Sequence, residues 1–527
     1  MLFLPIVQRE LRVAARRQST FRIRWWTTLV ALGVSAVSLA TVSLGRGRNS
    51  GASLFSILTC YAFGLCLLAG VFFTAQSLTA EKQEGTLGLL FTSSLKGYDV
   101  VLGKFAASSL NSFYGLLALL PVTALPLLLG GVTGAEFWRM AAALTNALFY
   151  SLAAGLCVSA CMRNSQQAMG NTLGVLILAA AVLPGVAAWS AGFKFSWICN
   201  GLAWLSPTTP FAYSGAALYP AHRSVFWGGL LASHLVGWAF LGLASGVLPR
   251  AWRERGRPVG GRRERARRKA LAPQSRVRAD LLSANPVRWL SYTELGIQWR
   301  AWGVVALWAI PVGLAVFSEL RWRGEPAASL LAGYAVIPFG FLLKVLFALQ
   351  VCRFFAEGRN NRTLELLLCT PLTNREIVRG QMQAVWRSFA WPLTAFVALL
   401  TIPVGVRILS SLYNRNLEVL GVVLSSSFLS GVYIVRMGLD LLAICWFGMG
   451  LALTMKKPAL APALTILFVL ILPSVLCWAD ALADLVLIAW GASRCQRDLR
   501  RLLAEQYQAS APVLPAPLPA APPAPAR

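Results

Sequence analysis

Residues Ala80–Lys104, AEKQEGTLGLLFTSSLKGYDVVLGK, return at Ala356–Gln381 as AEGRNNRTLELLLCTPLTNREIVRGQ. From Thr86 and Thr363 onward the two copies align without a gap. Leu87, Leu89, Leu90, Leu95, Val101 and Gly103 face Leu364, Leu366, Leu367, Leu372, Val378 and Gly380. Upstream, Glu81 and Glu357 match only with one residue inserted in the second copy. Each copy is a charged amphipathic island between long apolar runs. A self-similar block repeated this far apart implies a duplicated unit.

The surroundings of the islands set the solvent. The chain has 527 residues, 57% of them hydrophobic and 13% charged, with a mean hydropathy of +0.62. Soluble domains carry roughly a quarter charged residues, so the expected class is an all-α polytopic membrane protein. A span needs about 20 apolar residues. On that measure about twelve transmembrane helices emerge, in two six-helix repeats. Spans 1 to 6 run over about 25–44, 54–78, 100–130, 137–162 and 168–189, with the sixth ending near 248. Spans 7 to 12 run over about 302–320, 330–352, 385–406, 433–455 and 460–478, with the last ending near 493. The islands lie between the second and third spans of each repeat.

Charge sets the topology. The net charge is +28, and the basic residues cluster in short segments between apolar runs. That is the signature of cytoplasmic loops, not of a nucleic-acid groove. Between Arg250 and Arg278 twelve Lys or Arg stand against Glu254 and Glu264. This places the segment, and with it the N-terminus, in the cytoplasm. Lys456, Lys457, Arg494, Arg497, Arg500 and Arg501 put the C-terminus on the same side. The expected domains are a first six-helix unit (1–249), a basic cytoplasmic linker (250–284), a second six-helix unit (285–508) and a disordered tail (509–527). The linker is rich in Gly and Pro and expected to be mobile. The tail holds seven prolines among many alanines and has nothing with which to build a core. Residues 2–17 read as a basic amphipathic helix lying in the membrane surface, against lipid, and 285–300 mirror it. No signal peptide is expected, because the first apolar stretch is short and runs into Arg9, Glu10 and Arg12.

Within the islands, Leu364, Leu367, Leu368 and Leu372 form one apolar helix face, as do Leu87, Leu90, Phe91 and Leu95. Glu81 and Glu84, and Glu357, are expected to precede each short helix, where the dipole favours negative charge. Pro371 ends the second short helix, and Thr373 with Glu376 forms a capping box for the next. Each repeat is thus expected to build a short cytoplasmic helix tied to the inner ends of two spans. Alone, that pattern also fits a helix resting on lipid.

Glu-x-x-Glu-Gly-Thr-Leu-x-Leu-Leu at Glu81–Leu90, and Thr-Leu-Glu-Leu-Leu-Leu-x-Thr-Pro-Leu with Glu-Ile-Val-x-Gly at Thr363–Gly380, resemble the motif of type 2 ABC-exporter permeases. The resemblance covers both halves. It implies a coupling helix in each repeat that docks in a groove of a separate cytoplasmic ABC ATPase dimer. Glu81, Glu84, Gly85, Thr86 and Leu87 would form one coupling element. Glu357, Arg359, Thr363, Leu364 and Glu365 would form the other. Such a chain moves an exported substrate by alternating access across the inner membrane. It is no enzyme and holds no cofactor, with ATP and Mg on the partner. Two fused units would make one whole pathway. The first copy departs from the pattern: Gly88 replaces Glu365, Ser94 replaces Pro371, and Lys96 stands in place of Thr373. Unequal engagement of the ATPase is expected from this.

Other residues weigh less. Lys344 lies inside the eighth span, where a cation is costly, and either faces the pathway or makes a polar packing contact. Asp480 and Asp484 share a face at the start of the last span and read as solvated carboxylates. The string Gly97–Phe105 is not a P-loop, because Phe105 stands where Ser or Thr must hold magnesium. His222 and His234 form no ligand cluster, and no metal site is expected. Most cysteines, such as Cys60, Cys66, Cys157, Cys161 and Cys445, fall in apolar runs, so no disulfide framework is expected. Two rival functions remain: a gradient-driven secondary transporter, which needs intramembrane carboxylates, and a membrane scaffold that binds an ABC ATPase without transporting.

Overall fold

The computed structural model describes chiefly residues 50–84, 96–162, 165–184, 201–253, 295–322, 326–360, 363–413, 417–455, 458–471 and 480–497. The surface helix at 2–17, most of the first span, the island residues 85–95, most of the linker and the tail lie outside the described residues.

Everything regular among the described residues is helical. Helix α1 (Ser50–Ala69) runs through one π turn (Gly70–Thr74) into α2 (Ser77–Glu84). Then come α3 (Gly97–Leu129), α4 (Gly134–Cys161) and α5 (Ser165–Ile177). The short α6 (Thr208–Ala212) precedes α7 (Arg223–Arg253). The second half holds α8 (Leu295–Trp322), α9 (Pro326–Asn360), α10 (Thr363–Leu368) and α11 (Asn374–Tyr413). It closes with α12 (Leu417–Thr454), α13 (Ala461–Ile466) and α14 (Asp480–Gln496).

Seven helices among the described residues are long and apolar enough to cross a membrane, and 167–180 and 461–470 are shorter apolar helices. The chain is a polytopic membrane protein. Several helices outrun their expected limits. Helix α12 starts at Leu417, not near Tyr433, and α9 continues past Cys352 to Asn360. Polar residues at these ends extend a helix without ending it, since hydropathy marks the apolar core of a span and not its hydrogen-bonded length.

The same helix pairings occur in both halves. Helix α4 packs on α1, α3 and α7, and α12 packs on α9, α11 and α14. Crossings are close where glycine removes the side chain. A Cβ at Gly155 would collide with the Gly70 carbonyl, and one at Gly448 would stand 3.1 Å from Cys352 Sγ. Each third span carries prolines, Pro121 and Pro126 in α3 and Pro392 and Pro403 in α11. Neighbouring helices make such kinks tolerable in a membrane. Each fifth span carries a π turn, at Leu178–Val182 and at Leu467–Ile471. The halves meet where α5 lies on α9, with Gly170 close against the Leu349 side chain.

The ends facing away from the islands differ. In the first half, Arg139 donates to the Ser214 carbonyl at 3.1 Å and lies 4.0 Å over the Tyr219 ring. Glu136 accepts from the Ala216 N–H at 2.9 Å. The long connection between α6 and α7 is thereby pinned to the start of α4. In the second half only a short stretch separates the π turn at Leu467–Ile471 from α14.

Candidate functional site

The second island is built by local rules. Helix α9 ends at Asn360, and α10 folds back so that Leu364 is buried against it. The turn needs Gly358, where a Cβ would stand 2.8 Å from Leu364 Cγ. Leu367 packs half-buried on the same core, as the periodicity predicts; Leu372 does so too, but from beyond the end of α10 and not from the helix face expected for it. Leu366, off that face, is 73% exposed. Helix α10 stops at Leu368 just before Pro371. The Thr373 N–H then donates to Glu376 Oε2 at 2.7 Å, and the Glu376 N–H donates to Thr373 Oγ1 at 3.3 Å. This is the expected capping box. Arg500 donates to the Leu372 carbonyl at 2.7 Å, and Asn374 donates to the Gln496 carbonyl at 3.4 Å. The end of the chain therefore braces the island. An open cleft of about 540 Å³ lies beside it, between Thr370, Thr373, Arg375 and Arg500.

In the first island, Asp99 Oδ2 accepts from the Lys96 N–H at 3.1 Å. Only this half of the box exists, because lysine has no acceptor to return to the Asp99 N–H. Gly97 lets the turn sit on α7, where a Cβ would come 2.6 Å from the Ser245 carbonyl oxygen.

The expected coupling residues divide into three groups. Gly85, Thr86 and Leu87 lie outside the described residues. Glu81, Glu84, Glu357 and Arg359 lie in the C-terminal halves of α2 and α9. Glu357 precedes α10, as expected, but it does so from within α9, whose own C-terminal dipole disfavours a carboxylate. Glu81 meets Lys104 at 2.6 Å, and Glu357 meets Arg353 at 3.0 Å. Thr363, Leu364 and Glu365 lie in α10.

The contacts of two cations correct the register. Arg359 donates to the carbonyls of Ala452, Leu453 and Met455 at 2.8, 3.1 and 2.8 Å. Lys82 donates to the carbonyls of Ser159 and Met162, each at 3.1 Å, and to that of Ala160. Lys82 and Arg359 are separated by the same sequence distance as Thr86 and Thr363. The three carbonyls match one to one at a second constant distance. By position, then, the gap-free alignment extends back to Lys82, and Glu81 corresponds to Gly358 rather than to Glu357. Lys82 was not legible as a site residue, because its partners lie 77, 78 and 80 positions away in sequence.

Lys344 is buried among apolar side chains and forms an ion pair with Asp440 Oδ2, also buried. The Tyr433 ring lies 5.7 Å from its nitrogen. Asp440 was missed by sequence reading. Its signal was present, since it is a lone acidic residue in the apolar core of α12 facing a lone cation in α9. Asp484 corrects another expectation: it is buried at 1% exposure, not solvated, because that face of α14 packs on α12.

The model of the ABC-2 family transporter proteins matches residues 14–249. Through its first half, the chain is thus similar to the ABC-2 family transporter proteins. No curated protein matches it. The ABC-2 match spans α1 to α7 almost to the end, and so includes the first island, Lys82 and the fourth span that it caps. That match supports an ABC transporter permease role, that of a membrane component.

Proposed function

We propose that this chain is the transmembrane permease of an ATP-driven exporter. Two fused six-helix units would form one pathway, powered by a separate ABC ATPase dimer bound at the two islands on the cytoplasmic side of the inner membrane. ATP and Mg belong to that partner. ATP-driven closure of the dimer would push both islands and switch the pathway between inward and outward access.

The observation that carries this reading is Leu366. It stands 73% exposed on a short helix whose opposite face is fixed to the core. A rigidly backed apolar knob suits a pocket in a partner, and such buried anchors dominate interface energy. The expected coupling element shifts accordingly. Glu81 and Glu357 are engaged in ion pairs within the chain, so their charge reversal would disturb internal contacts as well as docking.

The test is co-purification of the whole chain with candidate ABC ATPases, together with ATP turnover of the complex. Leu366→Glu should cost about 2 kcal/mol or more of binding, roughly thirtyfold. Wild-type-like binding and turnover in that variant would contradict the docking role. A gradient-driven transporter would instead work without the ATPase. The Lys344–Asp440 pair is its best foothold, and ion-driven transport by the purified chain alone would favour it.

A further inference from the structure

We infer that Lys82 and Arg359 are a duplicated clamp, tying the arm that leads into each island to the end of the fourth span of the same half. The last carbonyls of a helix have no partner within it and carry the negative end of its dipole. At the end of α4 three such carbonyls converge on one ammonium, and at the end of α12 three converge on one guanidinium. Lys82 is buried, and Arg359 is half-buried. A buried cation held by three carbonyls is costly to release, because release strands both the charge and the acceptors.

The first half adds a return contact. Ser159 Oγ accepts from the N–H groups of Leu78 and Thr79, each at 3.1 Å. Those donors belong to the first turn of α2. The arm thus caps the fourth span, and the fourth span caps the arm. Displacing an island should therefore drag the fourth span with it. In turn α4 carries α7, and α12 carries α14. Lys82 and Arg359 are positioning residues: they act through the helices that they join.

The functional part rests on the ATPase-driven reading above, but the clamp itself does not. Hydrogen exchange on the full chain in lipid nanodiscs, without any ATPase, tests the clamp directly. Lys82→Met should speed exchange at the end of α4 about tenfold or more, the factor a charged hydrogen bond converts to. The end of α12 should stay unchanged. Arg359→Met should do the reverse. Lys82→Arg and Arg359→Lys should each restore slow exchange. No change, or equal acceleration in both halves, would overturn the clamp.

The second arm uses the co-purified ATPase. Both Met variants should still bind it yet lose most of the permease-dependent ATP turnover, and the conservative variants should recover it. Full turnover in the Met variants would overturn the positioning role. Failure of the wild-type chain to bind any ATPase would sink the driven reading, while the exchange result would still decide the clamp.

Discussion

In the first half the arm is a separate helix, Ser77–Glu84, set off from α1 by a π turn; in the second it is the unbroken end of α9. Both arms end on three carbonyls of a fourth span, yet the chemistry above the joint differs. The π turn leaves carbonyls out of register. Hydroxyls add contacts there: Ser151 donates to the Cys66 carbonyl at 2.5 Å, and Thr74 donates at 2.8 Å to the Gly70 carbonyl, which also accepts from the Ala75 N–H at 3.0 Å. The second half has no such break. It holds α9 to α12 through the Lys344–Asp440 ion pair at mid-helix. One arm is hinged on hydroxyls and the other is pinned by a buried charge pair. The joint is common, and the compliance behind it is not. Unequal responses of the two islands follow from this difference as much as from the departures in the first motif.

The largest effect that can break this comparison lies at the pin. Replacing one partner alone, Asp440→Leu or Lys344→Met, leaves an uncompensated buried charge and should destabilise the chain by about 3–5 kcal/mol. The double replacement should recover most of that loss. Unfolding in graded SDS, followed by tryptophan fluorescence, measures each. A smaller effect is expected at the hinge. Ser159→Ala removes the acceptor of two buried N–H groups and should cost about 1–3 kcal/mol. The smallest effect sharpens the comparison at the caps. Thr373→Ala should cost about 1 kcal/mol, and Lys96→Thr should add up to about as much by completing the half-built box. The same unfolding assay reads both.

The sequence disclosed what obeys short-range rules. Thr373 with Glu376, the leucine face of α10 and the stop before Pro371 all depend on neighbours within a few residues, and the structure has them where periodicity predicts. The helical membrane class follows from composition in the same way. The clamp, the Ser151 contact with Cys66 and the Lys344–Asp440 pair join residues roughly 75–100 positions apart. No local pattern encodes them, and an alignment of islands by charge alone pairs Glu81 with the wrong residue. Leu366 was passed over for a different reason. Attention to the buried face of an amphipathic helix hides the informative residue on the other side.

The central claim is that a separate motor grips the islands. A photo-crosslinking amino acid at position 366, and another at its counterpart 89, tests it most directly in membranes that contain the co-purified ATPase. The account predicts ATPase-specific adducts from position 366, stronger than those from position 89 and altered by ATP. Adducts to lipid alone from both positions, with and without ATP, would contradict it.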